Sequence, residues 1–442
     1  MESLDPLICQ GKPVVRRLAS LYPKIIQRSG SAWGVIYHAS NTRAAFGALR
    51  GVFGGQVRRV IGGQLRTQDP DVVLSVHPLL NHVTLSAIRR SGRPSGLMTV
   101  VTDLIDLHRG WALPEADLVV VPSEPAAEVV RGMGVPNERV LPLGLPVDLR
   151  FRPPAPGEKQ ALRRRFGLEQ GRPTLLVLGG GDGSGKMLQQ VRALAWGEHE
   201  WQVIAVCGRN EKLRRRLSRV HFSTPTAVLG FVDNMPALMR AADLVVTKAG
   251  PGAIAEALAT GVPLVLTGYL PGQETANVRF VTGAGFGLYA PRRDELREAV
   301  GRLLSDSGKE ATAMAARAAA IARPYASLDI ARECMALVHR YQVERARSTL
   351  QPAASPGVAP AVPAAAAVPS ATGAPGGPAG HETGGAATAA GAAGAAPAAV
   401  DRTPPTGRSR RWRRPRLRRR REQGVPPPAV GPPYSAASQT KR

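Results

Sequence analysis

The chain has 442 residues, with 58 Lys and Arg against 33 Asp and Glu and a formal net charge of +25. This length is enough for two ordinary domains, and the positive charge favours anionic partners such as nucleic acid, anionic lipid headgroups or phosphorylated substrates. Three widely spaced cysteines suit neither a disulfide framework nor a metal cluster, and no run of about 18 apolar residues predicts a membrane-spanning helix.

The N-terminal part is predicted to contain helices followed by three strands. Three strands are too few for a complete nucleotide-binding lobe, and no strand with a Gly-rich turn precedes them. We therefore expect residues 1–151 to form a lobe that lacks its first strand, loop and helix, through truncation or a start codon assigned too late. A naturally smaller helical cap is the alternative. The helices are predicted at Val14–Ile26 and Thr42–Val52, and the strands at Val72–Val76, Met98–Thr102 and Leu118–Val121.

Residues 157–325 alternate short apolar strands with helices. This alternation predicts a parallel sheet with helices on both faces, and six such units make a complete doubly wound lobe. A Pro-rich hinge at 152–157 precedes it. A closing segment at 326–346 follows, with a helix predicted at about Leu328–Arg345 and Ser327 just before it as the N-cap. The strands are predicted at Thr174–Leu178, Val203–Cys207, Ala227–Leu229, Leu244–Thr247, Leu264–Leu266 and Gly287–Ala290, and the helices at Lys186–Ala195, Glu211–Val220, Met235–Ala242, Ala253–Thr260, Glu274–Thr282 and Asp294–Ser305.

Residues 347–442 have a different composition. The stretch from Ser348 to Val400 is almost wholly Ala, Gly, Pro, Ser, Thr and Val, and an Arg-rich segment follows at 408–421. A sequence without large apolar side chains cannot offset its chain entropy, so we expect disorder here. The Arg-rich segment is compatible with anionic lipid or nucleic acid. It has one Trp, so the aromatic pattern of single-strand binders is nearly absent, and we expect no nucleic acid partner.

The segment from Thr247 to Glu256 carries the strongest functional signal. A Gly-Pro-Gly turn, Gly250-Pro251-Gly252, follows a predicted strand and opens a helix. Free N–H groups and the positive end of the helix dipole at such a turn favour a phosphate. Glu256 lies about one turn further on, where it could accept hydrogen bonds from a ribose. The segment therefore predicts a nucleotide-diphosphate site.

Two other turns follow predicted strands. Residues 179–186 read Gly-Gly-Gly-Asp-Gly-Ser-Gly-Lys, but Met187 stands where a P-loop needs Ser or Thr, which favours a turn that lets backbone approach a ligand. Residues 270–277 place Gln273, Glu274 and Asn277 at a strand's carboxyl end, where they could bind sugar hydroxyls or cap the next helix.

Polar side chains also follow the N-terminal strands. His77, His82, Asp103 and His108 are candidates for acid–base chemistry, and ordinary hydrogen-bonded roles are the alternative for each His. Asp103, at a predicted strand end, is the candidate that we favour for a functional role. Their spacing does not predict a metal site.

The ordered segments together resemble the monogalactosyldiacylglycerol synthase and processive diacylglycerol glucosyltransferase family, a lipid branch of the family 28 glycosyltransferases. The resemblance runs from about Leu21 to Tyr289. The motifs that carry it are Ser75-Val-His-Pro-Leu, Val101-Thr-Asp-Leu, Pro142-Leu-Gly-Leu-Pro-Val, Gly179-Gly-Gly-Asp-Gly, Val206-Cys-Gly-Arg-Asn, Thr247-Lys-Ala-Gly-Pro-Gly-Ala-Ile-Ala-Glu-Ala and Pro271-Gly-Gln-Glu-Thr-Ala-Asn.

The resemblance implies an α/β fold of two Rossmann-like lobes (GT-B type) and an inverting transfer of hexose from UDP-glucose or UDP-galactose to diacylglycerol. No other cofactor and no metal are implied. Gly250, Pro251, Gly252 and Ala253 would cradle the diphosphate, Glu256 would bind the ribose, Gln273 and Glu274 would contact the hexose, and Gly230 and Phe231 would lie near the uracil. Gly180, Gly181, Lys248 and Asn277 complete the expected donor site, with His77, His108 and Trp111 on the acceptor side.

One departure concerns the base that activates the acceptor. The family carries it on a Gly-Gly-Gly-His loop, which does not precede Leu21 here, and Asp103 is the best remaining candidate. We expect a peripheral protein on the inner face of the cell membrane, with anionic lipids as further partners. Transfer to a lipid-linked peptidoglycan precursor and an inactive UDP-sugar or lipid-binding protein are the alternatives.

Overall fold

A computed structural model describes residues 30–179 and 186–350. The chain divides into two compact units, Met1–Val358 and Ala359–Arg442, and every described residue belongs to the first. The predicted helix Val14–Ile26, the candidate residues Gly180 and Gly181, the Ala/Pro-rich linker and the Arg-rich segment lie outside the described residues.

The described elements alternate as an α/β protein should. Two helices precede the first strand, strands and helices then alternate to β10 except between β2 and β3, and three helices follow β10. In chain order they are α1 (Gly30–Ser40), α2 (Arg43–Gln68), β1 (Val72–Ser75), α3 (Asn81–Ser91), β2 (Gly96–Val100), β3 (Leu118–Val120), α4 (Glu124–Gly132), β4 (Val140–Leu141), α5 (Glu158–Arg165), β5 (Thr174–Leu178), α6 (Met187–Ala195), β6 (Gln202–Val206), α7 (Glu211–Leu217), β7 (Thr226–Leu229), α8 (Met235–Ala241), β8 (Leu244–Thr247), α9 (Pro251–Thr260), β9 (Leu264–Leu266), α10 (Thr275–Gly283), β10 (Gly287–Tyr289), α11 (Arg293–Leu304), α12 (Lys309–Ile321) and α13 (Ala326–Leu350).

The strands form two separate parallel sheets. The N-terminal sheet has the order β1-β2-β3-β4, and the C-terminal sheet has the order β10-β9-β8-β5-β6-β7. The central strands β5, β6 and β8 are buried along their whole length, because helices cover both faces of the sheet. The C-terminal sheet therefore has the predicted doubly wound arrangement.

Several element predictions need correction. The N-terminal sheet has a fourth strand, β4, whose two residues are too short for a pattern to show. Helix α2 continues to Gln68, past the predicted end at Val52, although Gly54, Gly55, Gly62 and Gly63 lower its helix propensity. Contacts with α3, through buried Val57 and Ile61, offset that cost. Five helices were not predicted: α1, α3, α4, α5 and α12.

The N-cap predicted at Ser327 is wrong. Helix α13 begins at Ala326, so Ser327 lies inside it. The Ser327 hydroxyl donates instead to the carbonyl oxygen of Val147 at 2.5 Å, which ties the closing helix to the segment before the Pro-rich hinge.

Within 30–179 and 186–350, no helix is long and apolar enough to cross a membrane. The same residues contain no group of three His, Cys, Asp or Glu side chains placed to hold a metal ion.

Candidate active site

The topology of the C-terminal sheet creates a crevice at one edge. Strands β5 and β8 are neighbours, but the chain continues from β5 toward β6 and from β8 toward β9. Connections that diverge in this way leave a gap at the carboxyl ends of the two strands, which is where open α/β sheets bind ligands. The loop 248–250 after β8 borders this gap.

Hydrogen bonds to neighbouring segments fix the loop after β8. The N–H of Ala249 donates to the carbonyl of Gly268 at 2.8 Å, and the amide of Asn277 donates to the carbonyl of Ala249 at 2.9 Å. Asn277 is fully buried, and its Oδ1 accepts no hydrogen bond from the described residues. These hydrogen bonds therefore fix the position of the loop and of the start of α9.

The start of α9 is open to a ligand. Gly250 is the N-cap, in an extended conformation, and it has no side chain to cap the first turn. Gly252 is exposed, and a Cβ atom placed there would meet no atom within 4 Å. The positive end of a ten-residue helix therefore lies beside open space, as an anion site requires.

A lysine stands beside this helix start. The ammonium of Lys248 lies 3.3 Å from the position that a Cβ of Gly250 would take, and it pairs with the carboxylate of Glu274. Glu274 is 2% exposed, and its other oxygen accepts from the N–H of Leu270 at 2.8 Å. The Lys248 side chain remains 38% exposed, so its ammonium can reach a bound phosphate.

Glu256 is a half-buried carboxylate to which no described residue donates a hydrogen bond. Burial alone raises its pKa to about 7. A carboxylate in such surroundings gains from a hydroxyl that donates to it. Glu256 lies on α9 and its carboxylate accepts no hydrogen bond from the described residues, and both facts fit the predicted ribose contact.

Asp103 and Gln273 meet across the two sheets. The Gln273 amide donates to Asp103 Oδ1 at 2.8 Å, and the Trp111 indole donates to Oδ2 at 2.7 Å. Burial raises the pKa of Asp103, and the two hydrogen bonds oppose that shift. Gln273 Oε1 accepts no hydrogen bond from the described residues. In this conformation both Asp103 oxygens are engaged, and Trp111, 1% exposed, supports that carboxylate.

Sequence reasoning missed a second contact between the halves. Asp106 accepts a hydrogen bond from the N–H of Ala276 at 2.7 Å, so a carboxylate from the N-terminal half caps the start of α10. Helix α1 covers the same region, since Tyr37 donates to the carbonyl of Asp106 at 3.1 Å. A Cβ on Gly34 would come within 2.9 Å of the Cβ of Pro271. In the sequence, the only hint of this contact was a second aspartate, Asp106, three residues after Asp103.

The two predicted acceptor-side histidines have local hydrogen bonds. His108 is 5% exposed; its Nδ1 accepts from the N–H of Gly110 at 3.1 Å, and its Nε2 lies 3.3 Å from the hydroxyl of Ser40. Burial lowers the pKa of His108, so the ring is neutral with its proton on Nε2. His77 is half-buried, and its Nδ1 accepts from the N–H of Leu79 at 3.3 Å. Burial also lowers the pKa of His82, to about 4.

The predicted uracil neighbours lie on an exposed edge. Phe231 is 64% exposed, and the guanidinium of Arg209 lies 4.9 Å from the centre of its ring. Gly230 is half-buried, and a Cβ there would meet Arg214 at 3.3 Å. The structure brings Lys248, Gly250 and Glu274 together, whereas Phe231 lies against Arg209. Arg209 was not singled out from sequence.

Known families match most of the described chain. Residues 12–147 match the family described as monogalactosyldiacylglycerol (MGDG) synthase. Residues 174–328 match the glycosyltransferase family 28 C-terminal domain, which defines the class of the C-terminal half.

Curated relatives agree with both matches. The chain is 33% identical over 322 residues to monogalactosyldiacylglycerol synthase 1, chloroplastic, of Arabidopsis thaliana, which is 71% of this chain and 60% of that protein. It is 31% identical to synthase 3 of the same plant, over 72% of this chain and 70% of that protein. The chain belongs to the monogalactosyldiacylglycerol synthase family. It spans about 60% of the length of synthase 1.

Partial likenesses extend to solved structures. HepE of Anabaena in complex with UDP-glucose is 17% identical, with a TM-score of 0.45 over 64% of this chain and 82% of that chain. MurG of Acinetobacter baumannii is 17% identical, with a TM-score of 0.48 over 65% of this chain and 77% of that chain.

Proposed function

We propose that this protein is an inverting glycosyltransferase that moves a hexose from UDP-glucose or UDP-galactose to diacylglycerol. The observation that carries the proposal is the uncapped start of α9 beside Lys248, at the crevice of a doubly wound sheet. Family membership supports it, because the curated relatives are named as synthases of a galactosyl lipid.

The first part of the proposal concerns the donor diphosphate. The N–H groups of Gly252 and Ala253 would donate to its oxygens, and Lys248 would turn from Glu274 toward the phosphates. As the bond between the sugar C1 and the phosphate oxygen breaks, negative charge grows on the departing UDP. A helix dipole and a cation that are already in place stabilise that charge without reorganising water.

The second part concerns the sugars of the donor. The carboxylate of Glu256, to which no described residue donates a hydrogen bond, would accept hydrogen bonds from ribose hydroxyls. Gln273 Oε1 and Asn277 Oδ1 are buried acceptors that receive no hydrogen bond within the described ranges. Buried acceptors of this kind are costly unless a donor fills them, and hexose hydroxyls would supply that donor.

The third part concerns the acceptor. The diacylglycerol hydroxyl oxygen would attack C1 from the face opposite UDP, and its proton would pass to a base. We propose Asp103 as that base, held in place by Trp111. Since both of its oxygens are engaged, the hydroxyl would replace Gln273 at Oδ1, which frees Gln273 for the hexose.

The place of action follows from the substrate. Diacylglycerol resides in membranes, so we propose peripheral binding at the inner face of the cell membrane, with anionic lipids as further partners. The exposed apolar side chains Val35 and Ile36 of α1, 70% and 44% exposed, lie on the helix that covers the Gln273 loop and suit contact with a lipid surface.

A transfer assay tests the proposal. The full chain would be incubated with radiolabelled UDP-glucose or UDP-galactose and dispersed diacylglycerol. We expect a labelled monohexosyl lipid with one of the donors, and proton NMR should show a β-linkage formed from the α-linked donor. An α-linkage would overturn inversion. Label in a lipid-linked peptidoglycan precursor, without label in diacylglycerol, would replace the proposed acceptor.

A further inference from the structure

Helices α2 and α3 carry an unbalanced positive charge. Residues 43–68 and 81–91 contain seven Arg and no Asp or Glu. The nearest described carboxylate along the chain, Asp69, already pairs with Arg93 at 2.7 Å. The two helices therefore form a basic surface that its own acidic residues do not neutralise.

A cavity of about 300 Å³ lies between these helices, away from the α9 site. Gly55 and Gly62 of α2 line it, and they leave space where side chains would otherwise stand. Four arginines line that space, Arg58, Arg59 and Arg66 from α2 and Arg90 from α3. We call this cavity the arginine groove.

Three of these four arginines are available to a ligand. Arg58 donates to the hydroxyl of Ser86 at 3.4 Å. Arg59, Arg66 and Arg90 are exposed, and none of them has a hydrogen bond or an ion pair with a described residue. Clustered guanidiniums repel one another, and a shared anion with several oxygens removes that repulsion while accepting their N–H groups.

An exposed apolar residue continues the groove along α2. Val52 is 75% exposed and lies three residues before Gly55, so the helical period places it on the face that also carries Arg59, Gly62 and Arg66. Exposed Ala48 is one turn further toward the N-terminus of the same face. This face of α2 is therefore apolar near its N-terminal end and basic further along the helix.

We propose that the arginine groove binds the phosphate group of an anionic phospholipid, with the acyl region of that lipid against Val52. The combination of the two surfaces selects this ligand. Free phosphate would contact only the arginines. The backbone of a nucleic acid would bind the arginines but would not be stabilised by contact with Val52. The proposal does not require transferase activity, because the groove and the α9 site share no residue.

Vesicle binding by the full chain tests the proposal, without any UDP-sugar. The triple variant Arg59→Gln, Arg66→Gln, Arg90→Gln would be compared with Arg219→Gln, Arg293→Gln, Lys309→Gln. The control variant loses the same charge from exposed side chains of the C-terminal half that have no hydrogen bond or ion pair with a described residue. Both variants keep residues 408–421, so binding through that segment is equal in the two.

We expect the groove variant to bind phosphatidylcholine vesicles with 20 mol% phosphatidylglycerol at least about tenfold more weakly than the control, since each basic residue near such a surface contributes about 1 kcal/mol. Hydrogen exchange of 50–66 should slow on vesicle binding, in the wild type and the control only. Equal weakening in both variants would overturn the site and indicate diffuse charge.

Two further arms identify the ligand. Millimolar inorganic phosphate should not slow hydrogen exchange of 50–66; if it does so as well as vesicles, the source is free phosphate and the lipid assignment is wrong. A short RNA that protects these residues at physiological salt, where phosphatidylglycerol vesicles do not, would replace lipid by nucleic acid. Circular dichroism of both variants checks that they fold.

Discussion

Gln273 donates a hydrogen bond to Asp103 at 2.8 Å, and the two residues are 170 positions apart in the chain. Gln273 follows the C-terminal strand β9 and Asp103 follows the N-terminal strand β2. The proposed sugar contact and the proposed base are therefore already joined before any substrate binds. Substrate binding would exchange this bond for one to the acceptor hydroxyl and one to the hexose.

The first prediction concerns Asp103→Asn, which keeps the side-chain shape but removes the basic carboxylate. We expect kcat to fall at least about 100-fold, as for loss of a general base, with little change in the KM for the donor.

Trp111→Phe keeps the carboxylate of Asp103 and removes one supporting hydrogen bond, so kcat should fall about tenfold. Steady-state kinetics on folded variants measure both; a fully active Asp103→Asn enzyme would disprove the role of base.

The pH dependence of kcat gives a second readout of Asp103. Burial raises the pKa of Asp103, and a base must be ionised to accept a proton. Activity should therefore be lost as the pH falls through that raised pKa, at a pH above the ordinary range for aspartate. The acid limb should disappear from the residual activity of Asp103→Asn.

The second prediction concerns Lys248→Ala. Losing a charged hydrogen bond to the phosphates should raise the Kd for UDP about 10- to 100-fold, as measured by calorimetry. Lys309→Ala removes an exposed lysine from the start of α12 and should leave that Kd unchanged. Equal affinity of the two variants would show that Lys248 serves only to pair with Glu274.

The third prediction concerns the stability contributed by Glu256. Its pKa of about 7 in the folded state exceeds the ordinary 4.5, so the folded protein binds this proton more tightly than the unfolded chain. The stabilising contribution of the proton is complete below pH 4.5 and is lost as the pH rises through 7. At pH 8, Glu256→Gln should raise the free energy of unfolding by up to about 3 kcal/mol.

Ionisation of Glu256, which lowers stability, should raise the affinity for the donor. The ionised carboxylate is the better acceptor for ribose hydroxyls, so the affinity of the wild type for UDP should rise between pH 6 and pH 8 by about threefold or more. In Glu256→Gln that slope should become smaller, because only the ionisation of the terminal phosphate of UDP then contributes to it. Denaturant unfolding and calorimetry at several pH values measure the two effects, and an equal slope in the wild type and the variant would contradict the assignment.

The fourth prediction concerns helix α1. A methyl group on Gly34 would lie 2.9 Å from Pro271, so Gly34→Ala should force α1 away from the Gln273 loop and lower the free energy of unfolding by about 1–3 kcal/mol. Gly51→Ala lies in α2 with no atom within 4 Å, and it should raise stability by about 0.5–1 kcal/mol. Denaturant titration of both variants gives the comparison; equal effects would rule out the close contact.

The sequence allowed the start of α9 to be predicted because all of its determinants are local. An apolar strand, a Gly-Pro-Gly turn and a helix pattern lie within a few residues of one another. The order of the C-terminal sheet follows from general rules for alternating strands and helices. Strand β4 was missed because two residues carry no periodicity.

Contacts between distant segments could not be predicted in this way. The cap that Asp106 places on α10 and the pairing of Asp103 with Gln273 depend on how the two sheets pack. The pairing of Lys248 with Glu274 depends on the relative position of two adjacent loops. No periodic pattern in a single sequence encodes these distances.

A crystal structure with UDP bound would show directly whether the start of α9 holds the diphosphate. We expect phosphate oxygens about 3 Å from the N–H groups of Gly252 and Ala253 and from the ammonium of Lys248, with a ribose hydroxyl on Glu256. UDP bound elsewhere, with the start of α9 empty and Lys248 still paired with Glu274, would contradict this expectation.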